Sequence, residues 1–261
     1  MPLTHERTFR VRHYECDAAG QVHHANLLRY MQEAAMDASA AAGYDLARYE
    51  ALHTQWLIRE TDLRVLRPLH YGDSVTVRTY VNDFRRVRSR RAYELRDAAS
   101  GEPVARAHTD WIYMDTDTLR PITVPDEMIA AFFPEGPAAA PAMPRDPFPT
   151  PPPPRDPFGI RRRVAWSDLD TARHVNNAMY LAYIEDCTVQ ALAAVEGWPA
   201  EAPEALHYRI EYQQPALLDD EVEIMTWTSD NGGGERVRHY TITRVEDGVQ
   251  LARARVVWQI T

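Results

Sequence analysis

The chain has 261 residues, enough for one large domain or two small ones, and its 45% hydrophobic and 26% charged residues are ordinary for a globular protein. No stretch approaches the ~18 apolar residues of a membrane span. The opening residues MPLTHERTFRVRHYE also lack the apolar run of a secretory signal, so we expect a cytoplasmic protein. A formal net charge of −9 argues against nucleic acid as the default partner.

The basic residues and the cysteines exclude further classes of chemistry. All 29 basic residues are arginine, so no reaction that needs a lysine amine, such as a pyridoxal Schiff base, is available. The two cysteines, Cys16 and Cys187, are too few for a disulfide framework or a cysteine-rich zinc site, and they fit a reducing compartment. Cys16 has no paired base in the sequence, and we interpret it as structural.

The first half of the chain begins with a short strand, predicted over Thr8–Tyr14, and a polar loop. A helix follows over Asn26–Ala42, with Gly43 as its C-cap. The helix prediction rests on an apolar stripe at helical spacing, which consists of Leu27, Leu28, Met31, Ala34, Ala35 and Ala38.

Alternating apolar and polar residues after this helix predict four antiparallel strands. The segments are DLRVLRP, DSVTVRTYV, SRRAYELRD and VARAHTDWIYM. ASGE marks a tight hairpin between the last two.

A proline-rich stretch then divides the chain. Eleven prolines lie between Pro134 and Pro157, and such a stretch favours an extended, semi-rigid linker. We therefore predict an N-terminal unit over residues 1–133, a linker over 134–158 and a C-terminal unit over 159–261.

The second half repeats the first. It predicts a strand over Ile160–Trp166, a helix over about Asn177–Val195 with Gly197 beyond it, and the strand segments HYRIEYQQP, DEVEIMTWT, RHYTITRV and QLARARVVWQI, with EDGV as a hairpin. A constant offset of 153 aligns Asp17 with Asp170, and an offset of 147 aligns Trp111 with Trp258. The sequence therefore predicts an internal duplication.

Two segments carry a family resemblance, YECDAAGQVHHANLLRYMQEAA in the first half and SDLDTARHVNNAMYLAYIED in the other. The C-terminal segment closely resembles the signature of the acyl-acyl carrier protein (acyl-ACP) thioesterases, and WLIRETDLRVLRPLHYGDSVTVRTYV and TDWIYMDTDTLRPITVP are also similar to that family. The resemblance implies an α+β fold of two tandem hotdog units, each a long helix wrapped by an antiparallel sheet, which form an intramolecular pseudo-dimer.

The same resemblance implies hydrolysis of fatty acyl-ACP thioesters to the free acid and the carrier thiol, without a cofactor or a metal. Two alternatives stay open. One is an acyl-CoA thioesterase, similar to the 4-hydroxybenzoyl-CoA enzymes, that uses Asp17. The other is a non-catalytic acyl-binding hotdog protein. A homodimer of the double chain is a further partner that the sequence leaves open.

Thioester hydrolysis needs a carboxylate and donors for the oxyanion, and both units place an aspartate before a helix N-terminus. In the second loop, the resemblance assigns catalysis to Asp170 and His174, and we add Asn176. This loop is our preferred site, although Ala172 stands where the family usually has asparagine. The acid–cysteine pair that the family tends to carry falls here on Gln214 and Pro215. The alternative is that Asp168, Asp170, Asn176 and Asn177 only form turns and cap the helix.

The first loop offers the second candidate, because Asp17-Ala18-Ala19-Gly20 resembles the loop of single-unit acyl-CoA thioesterases in which the matching aspartate does the chemistry. Gly20 would let the backbone approach a ligand, and His23, His24 and Asn26 follow it. Glu33 and Asp186, within the helices, are reserve carboxylates.

For the substrate, we predict an apolar slot between helix and sheet, with arginines that hold the carrier protein or coenzyme A. The predicted contacts are Trp56, Tyr30, Leu28 and Met31 for the acyl chain and Arg88 and Arg90 for the carrier. Ordinary core packing is the alternative for the first four residues. The arginines belong to a run, Arg85 to Arg91, and a second run is Arg161 to Arg163; a solvated strand face is the alternative for both.

Overall fold

The computed structural model describes residues 1–136, 148, 151–196, 205–230 and 236–258. Its residues form two compact units. Unit 1 combines Met1–Arg12 with Arg29–Pro147, and unit 2 combines His13–Leu28 with Phe148–Thr261. None of the helices in the described ranges is both long and apolar enough to cross a membrane.

Unit 2 includes one segment that the predicted domain boundaries place in the N-terminal unit. Residues 13–28, which the sequence assigns to the N-terminal unit, group with the C-terminal residues. The side chain of His24 shows why, because it contacts Tyr208 and Glu185. The predicted linker over 134–158 lies largely outside the described residues. Phe148, one of its described residues, packs its ring against the guanidinium groups of Arg209 and Arg253.

The first half of the chain contains five strands and three helices. In chain order they are β1 (Thr4–Arg10), α1 (His24–Ala41), α2 (Leu46–Ala51), β2 (Thr54–Val65), β3 (Ser74–Arg85), β4 (Arg88–Asp97), β5 (Pro103–Asp115) and α3 (Asp126–Phe132). The five strands pair antiparallel in the order β1-β3-β4-β5-β2.

The second half repeats this order without α2 and α3. Its elements are β6 (Phe158–Arg163), α4 (Asn177–Glu196), β7 (Ala205–Tyr212), β8 (Glu221–Asp230), β9 (Arg236–Arg244) and β10 (Gln250–Trp258). The antiparallel order is β7-β10-β9-β8-β6. Each half therefore has the long helix and the antiparallel sheet of a hotdog unit, and the predicted α+β class is confirmed.

The predicted first strand of each half runs too far. β1 ends at Arg10 and β6 at Arg163, and short 3₁₀ turns follow at His13–Glu15 and Trp166–Asp168. The backbone N–H groups of Val11 and Val164 donate to the carbonyls of Asp73 and Asp220, which continues each ladder by one residue before the turn. Since these residues are related by the two offsets, each first strand ends in the same way in both copies.

Helix α1 fits its prediction closely, although it begins two residues earlier, at His24. Every residue of the predicted apolar stripe is buried. In unit 2, α4 packs on its sheet through polar contacts as well as apolar ones: the Thr188 and Tyr240 hydroxyl oxygens are 2.6 Å apart. The predicted cap of α4, Gly197, lies outside the described residues.

Gly43 ends α1 in the left-handed conformation, as predicted, with φ of +83°. Its N–H donates to the carbonyl of Ala40, and the N–H of Tyr44 donates to that of Ser39. This pair of bonds is a Schellman motif, in which glycine avoids the strain that a Cβ atom brings.

Replacement of Gly43 by alanine should therefore destabilise the protein by ~1 kcal/mol, since an L-residue is strained at this φ. Urea unfolding followed by circular dichroism measures the effect. Gly159→Ala is the matched control, because Gly159 does not have a left-handed φ and a Cβ there would lie 3.5 Å from Met225, an ordinary contact. Equal effects of the two substitutions would contradict the assignment.

Candidate active site

The two polar loops that precede α1 and α4 have the same backbone. An isolated antiparallel bridge joins Cys16 to Val22 in the first loop and Leu169 to Val175 in the second. Within each loop, the aspartate N–H donates to the carbonyl four residues ahead, Gln21 after Asp17 and His174 after Asp170. The duplication predicted from the sequence is therefore visible bond by bond.

Each loop turns through one residue in the left-handed region. That residue is Gly20 in the first loop, with φ of +81°, and Arg173 in the second, with φ of +62°. A Cβ atom at Gly20 would meet nothing within 4 Å. The turn conformation thus accounts for Gly20 without the close approach of a ligand that the sequence suggested.

The two aspartates differ in how their carboxylates are bonded. Oδ1 of Asp17 accepts the backbone N–H groups of Ala19 and Gln21, each at 2.9 Å, and Oδ2 has no hydrogen-bond partner within the described part of the chain. Both oxygens of Asp170 are bonded, Oδ1 to the N–H of Ala172 at 2.9 Å and Oδ2 to the amide of Asn176 at 3.0 Å. Asp17 thus has one carboxylate oxygen without a hydrogen bond among the described residues, whereas each oxygen of Asp170 has one.

The two helix N-termini differ in the same sense. Asn176 caps α4, because its Oδ1 accepts the N–H of Ala178 at 2.9 Å. His23 occupies the equivalent position before α1, and among the described residues no side chain accepts the N–H of Ala25, the counterpart of Ala178. The first N–H groups of a helix have no acceptor within the helix. The start of α1 therefore offers a donor that the start of α4 has already used.

The second loop brings together only part of its predicted site. Asp170 and Asn176 are directly bonded. His174 instead turns its Nδ1 to the carbonyl of Val175, at 3.3 Å. In the first loop, Asn26 is buried and donates to the backbone carbonyl of Glu15, so it holds the loop together.

The first loop also carries a cluster of titratable side chains. His24, the first residue of α1, places Nδ1 2.8 Å from the hydroxyl of Tyr208 on β7. That hydroxyl donates to Oε1 of Glu185 on α4, at 3.2 Å. The backbone N–H of His24 donates to the same carboxyl oxygen at 3.3 Å. All three residues belong to unit 2.

Burial sets the charge state of this cluster. Desolvation raises the pKa of Glu185 from 4.5 to about 8, although its two donors oppose the shift. Desolvation also lowers the pKa of His24 to about 4, against the attraction of Asp17. His24 Nδ1 and Glu185 Oε1 are 3.5 Å apart, which is ion-pair distance, but both shifts favour the neutral forms at neutral pH.

The hydrogen bonds then fix the tautomer of His24. Because the single hydroxyl proton of Tyr208 is donated to Glu185, its oxygen accepts from Nδ1–H of His24. The Nε2 atom of His24 is consequently the unprotonated ring nitrogen. These hydrogen bonds connect the start of α1 to β7 and α4.

The sequence did not identify Glu185 or Tyr208. Its reserve carboxylates are surface residues, since Glu33 pairs with Arg7 and Asp186 pairs with Arg162. Glu185 precedes Asp186 but its side chain is only 19% exposed. A signal was present, because Glu185 interrupts the buried face of α4, four residues after Leu181.

The predicted acyl-chain contacts are buried or half-buried, and existing partners surround the two aromatic ones. Trp56 donates its indole N–H to the hydroxyl of Tyr49 and packs 4.9 Å from the ring of Tyr113. Tyr30 stacks on Phe9 at 4.8 Å. Leu28 and Met31 are buried on the apolar stripe of α1. Core packing accounts for these positions, and their role in acyl binding stays a prediction.

The arginine runs are largely committed to internal pairs. Arg90 is buried and makes a bidentate pair with Asp110, at 2.7 and 2.8 Å, so it is not available to a carrier. Arg91 is buried as well. Arg161, Arg162 and Arg163 pair with acidic side chains of their own unit. The exposed members of the first run are Arg85, Arg86 and Arg88.

Comparison with known families identifies the chain. A model described as the acyl-ACP thioesterase N-terminal domain matches residues 2–132, and one described as the C-terminal domain matches residues 155–260. The chain belongs to the acyl-ACP thioesterase family. The resemblance seen in the sequence is thereby confirmed.

Curated relatives in this family are distant plant proteins. An acyl-[acyl-carrier-protein] hydrolase of Cuphea viscosissima is 25% identical over 266 residues, which cover 98% of this chain and 63% of the relative. A dodecanoyl-[acyl-carrier-protein] hydrolase of Umbellularia californica is 24% identical and is covered to 68%. The chain thus spans less than two thirds of the Cuphea relative.

Solved structures of similar proteins support the tandem hotdog fold. A Lactobacillus plantarum protein assigned as an oleoyl thioesterase aligns with a TM-score of 0.87 at 19% identity, over 99% of this chain and 96% of that one. The 12:0-ACP thioesterase of Umbellularia californica aligns with a TM-score of 0.77 at 22% identity, over 98% and 94%. The fold of this acyl-ACP thioesterase family member is therefore established over both halves.

The buried carboxyl of Glu185 makes a prediction about stability. Its pKa is raised in the folded state, so folding retains a proton that the unfolded chain loses above pH 4.5. Stability contributed by the neutral acid is present below that pH and declines as the pH rises toward about 8.

Glu185→Gln removes this decline, because glutamine does not titrate. The free energy of unfolding of the variant relative to the parent should increase with pH between about pH 5 and about pH 8, by at most about 1.4 kcal/mol per pH unit. Urea titrations at both pH values measure the difference, with exposed Asp186→Asn as the control. A difference that does not change with pH would contradict the assignment.

The pair of Arg90 and Asp110 makes a second prediction. Arg90→Ala removes the bidentate ion pair of a buried carboxylate, that of Asp110, and should destabilise the protein by about 3–5 kcal/mol. Arg88→Ala, two residues away on the exposed face, should change stability by no more than about 0.5 kcal/mol. Denaturant unfolding of both variants checks this, and similar costs would show that Arg90 is not the structural member of the run.

Proposed function

We propose that the chain hydrolyses acyl thioesters and that the reaction takes place at the first loop, with Asp17 as the base. Membership of the acyl-ACP thioesterase family supports the reaction. The choice of loop rests on one observation: among the described residues, no hydrogen bond reaches Oδ2 of Asp17 and no side chain accepts the N–H of Ala25, whereas Asn176 bonds to both equivalents in the second loop.

The proposed chemistry follows from these two open groups. The thioester carbonyl lies at the start of α1, where first-turn N–H groups stabilise the developing oxyanion. Asp17 removes a proton from a water molecule, and the water oxygen attacks the carbonyl carbon. Two backbone N–H donors on Oδ1 hold the carboxylate in place, so that Oδ2 faces the water.

The proposed carrier is acyl carrier protein. The Cuphea and Umbellularia relatives are named for acyl-ACP substrates, and the family takes its name from them. The exposed arginines, Arg85, Arg86 and Arg88, supply positive charge for an acidic carrier or for its phosphate. Leu28, Met31, Tyr30 and Trp56 are the proposed acyl-chain contacts.

Asp17→Asn should lower kcat/KM on an acyl-ACP thioester by about 10²–10⁴-fold, because the amide cannot accept the proton of water. Asp170→Asn should keep kcat/KM within about threefold, since Asp170 serves only the turn and the cap in this proposal. Steady-state hydrolysis of dodecanoyl-ACP, with release of the carrier thiol as the readout, compares the two variants.

The opposite ranking of these variants would place the reaction in the second loop. Equal rates for both variants and the parent would remove the aspartates from the mechanism. No turnover of any acyl-ACP by the parent would favour the acyl-binding protein instead. A parallel assay with dodecanoyl-CoA tests the carrier, since a higher kcat/KM on the coenzyme A thioester would overturn that part of the proposal.

A further inference from the structure

Glu185 presents its two carboxyl oxygens to different surroundings. Oε1 is fixed by the backbone N–H of His24 and the hydroxyl of Tyr208. Oε2 is inaccessible to solvent and has no hydrogen-bond partner among the described residues. Nδ1 of His23 lies 4.0 Å from it. A buried carboxyl with one fixed oxygen and one unpartnered oxygen is suited to hold a proton on the second.

The position of this carboxyl relates it to the proposed reaction. The N–H of His24 is the first of α1, and it lies 3.3 Å from Oε1 of Glu185. The carboxyl is therefore at the point where the thioester carbonyl is placed by the proposed function. The sulfur of a thioester is bonded directly to that carbonyl carbon, so a group beside the oxyanion is also near the leaving atom.

We propose that Glu185 is the general acid of the reaction and donates the proton on Oε2 to the departing sulfur. This assignment depends on the proposed function, because it places the reacting carbonyl at the start of α1. The two carboxyl groups then divide the work: Asp17 accepts a proton and Glu185 donates one. Opposite roles of this kind follow when one carboxyl is buried and the other is partly exposed and bonded to backbone N–H groups.

The groups that face Glu185 are Asp17 and His23 from the loop, His24 from α1, Tyr208 from β7 and Asp186 from its own helix. Burial outweighs the hydrogen bonds from His24 and Tyr208, which lower the pKa of the carboxyl. Desolvation dominates and raises the pKa to about 8, and the two carboxylates add to the shift. At neutral pH the acid therefore carries the proton that the step requires.

The step balances in atoms and charge. Water gives its proton to Asp17 and its oxygen to the acyl carbon, and the tetrahedral intermediate then breaks its C–S bond. The electron pair of that bond goes to sulfur, which takes the proton from Oε2. The products are the free acid and the thiol. Asp17 and Glu185 regain their starting states when, after the products leave, Asp17 releases a proton and Glu185 takes one up.

A proton donor is useful in a buried site, because a free thiolate is costly where water cannot solvate it.

The duplication also supports a special role for Glu185. By the two offsets, the equivalents of Glu185, His24 and Tyr208 are Gln32, Asn177 and Thr61. None of these side chains can act as an acid near neutral pH, so the second copy of the cluster has no proton to donate.

The test compares two leaving groups that carry the same acyl chain. Glu185→Gln keeps the size of the neutral acid and an acceptor for His24 and Tyr208, but has no acidic proton. Its kcat/KM on dodecanoyl-pantetheine should fall at least about tenfold, because an alkyl thiolate needs the proton. On the S-(4-nitrophenyl) thioester of the same acid, kcat/KM should stay within about threefold, because an aryl thiolate is a weak base and leaves without help.

Two further variants separate this proposal from the one before it. Asp17→Asn should slow both thioesters alike, because water attack precedes departure of the sulfur. If it does not, the proposed function fails, whatever Glu185 does. Glu33→Gln, a change at an exposed carboxylate of α1, should leave both rates unaltered. Circular dichroism at neutral pH confirms that each variant is folded before its rates are compared.

Each outcome for Glu185→Gln decides the proposal. A loss confined to the pantetheine thioester supports it. Equal losses on the two thioesters overturn it, because Glu185 would then serve binding or the oxyanion. Unchanged rates on both overturn it as well. The pH profile adds an independent readout: the parent should lose activity on the pantetheine thioester as the pH rises through about 8, and the variant should show no such decline.

Discussion

The unpaired N–H groups at the start of a helix are the constraint on which the site depends. A helix cannot satisfy them internally, so each long helix here requires an acceptor from outside. α4 obtains one from its own preceding residue, Asn176. α1 follows a histidine at the same position and draws the carboxyl of Glu185 toward its first N–H. The two copies share a backbone, and they differ in how this one requirement is met.

Burial then sets the protonation states of the groups around the start of α1. The carboxyl that approaches α1 comes from the interior face of α4, and the hydroxyl of Tyr208 links it to His24. Removed from water, acid and imidazole both favour their neutral forms. Asp17 remains partly exposed and keeps two backbone donors. In the proposed reaction Asp17 therefore accepts a proton and Glu185 donates one, although both groups are carboxyls.

Local patterns predicted the elements well and the site only in part. The apolar stripe from Leu27 to Ala38 predicted α1, and glycines at turns predicted the hairpins. Both predictions succeeded because helix faces and left-handed turns depend on residues that are close in the sequence. The short helices α2 and α3 were not predicted, although Asp45 caps the first and Pro125 precedes the other. Glu185, Tyr208 and His24 are far apart in sequence, and only the fold brings them together. The burial of Arg90 against Asp110 likewise depends on strand register, which composition does not reveal.

One consequence concerns how a duplicated chain can change. Both loops have a residue in the left-handed region, an isolated antiparallel bridge and an aspartate. The chain therefore contains the same loop backbone twice. The two helix N-termini differ in the residue that precedes the helix: Asn176 caps α4 with its side chain, and His23 does not cap α1 in this way. After the duplication, an asparagine cap in one copy would stabilise that helix, while the other copy kept an N–H group for a ligand. In our proposal the second loop therefore keeps the backbone of the first, and a single amide, that of Asn176, occupies the groups that the reaction would use.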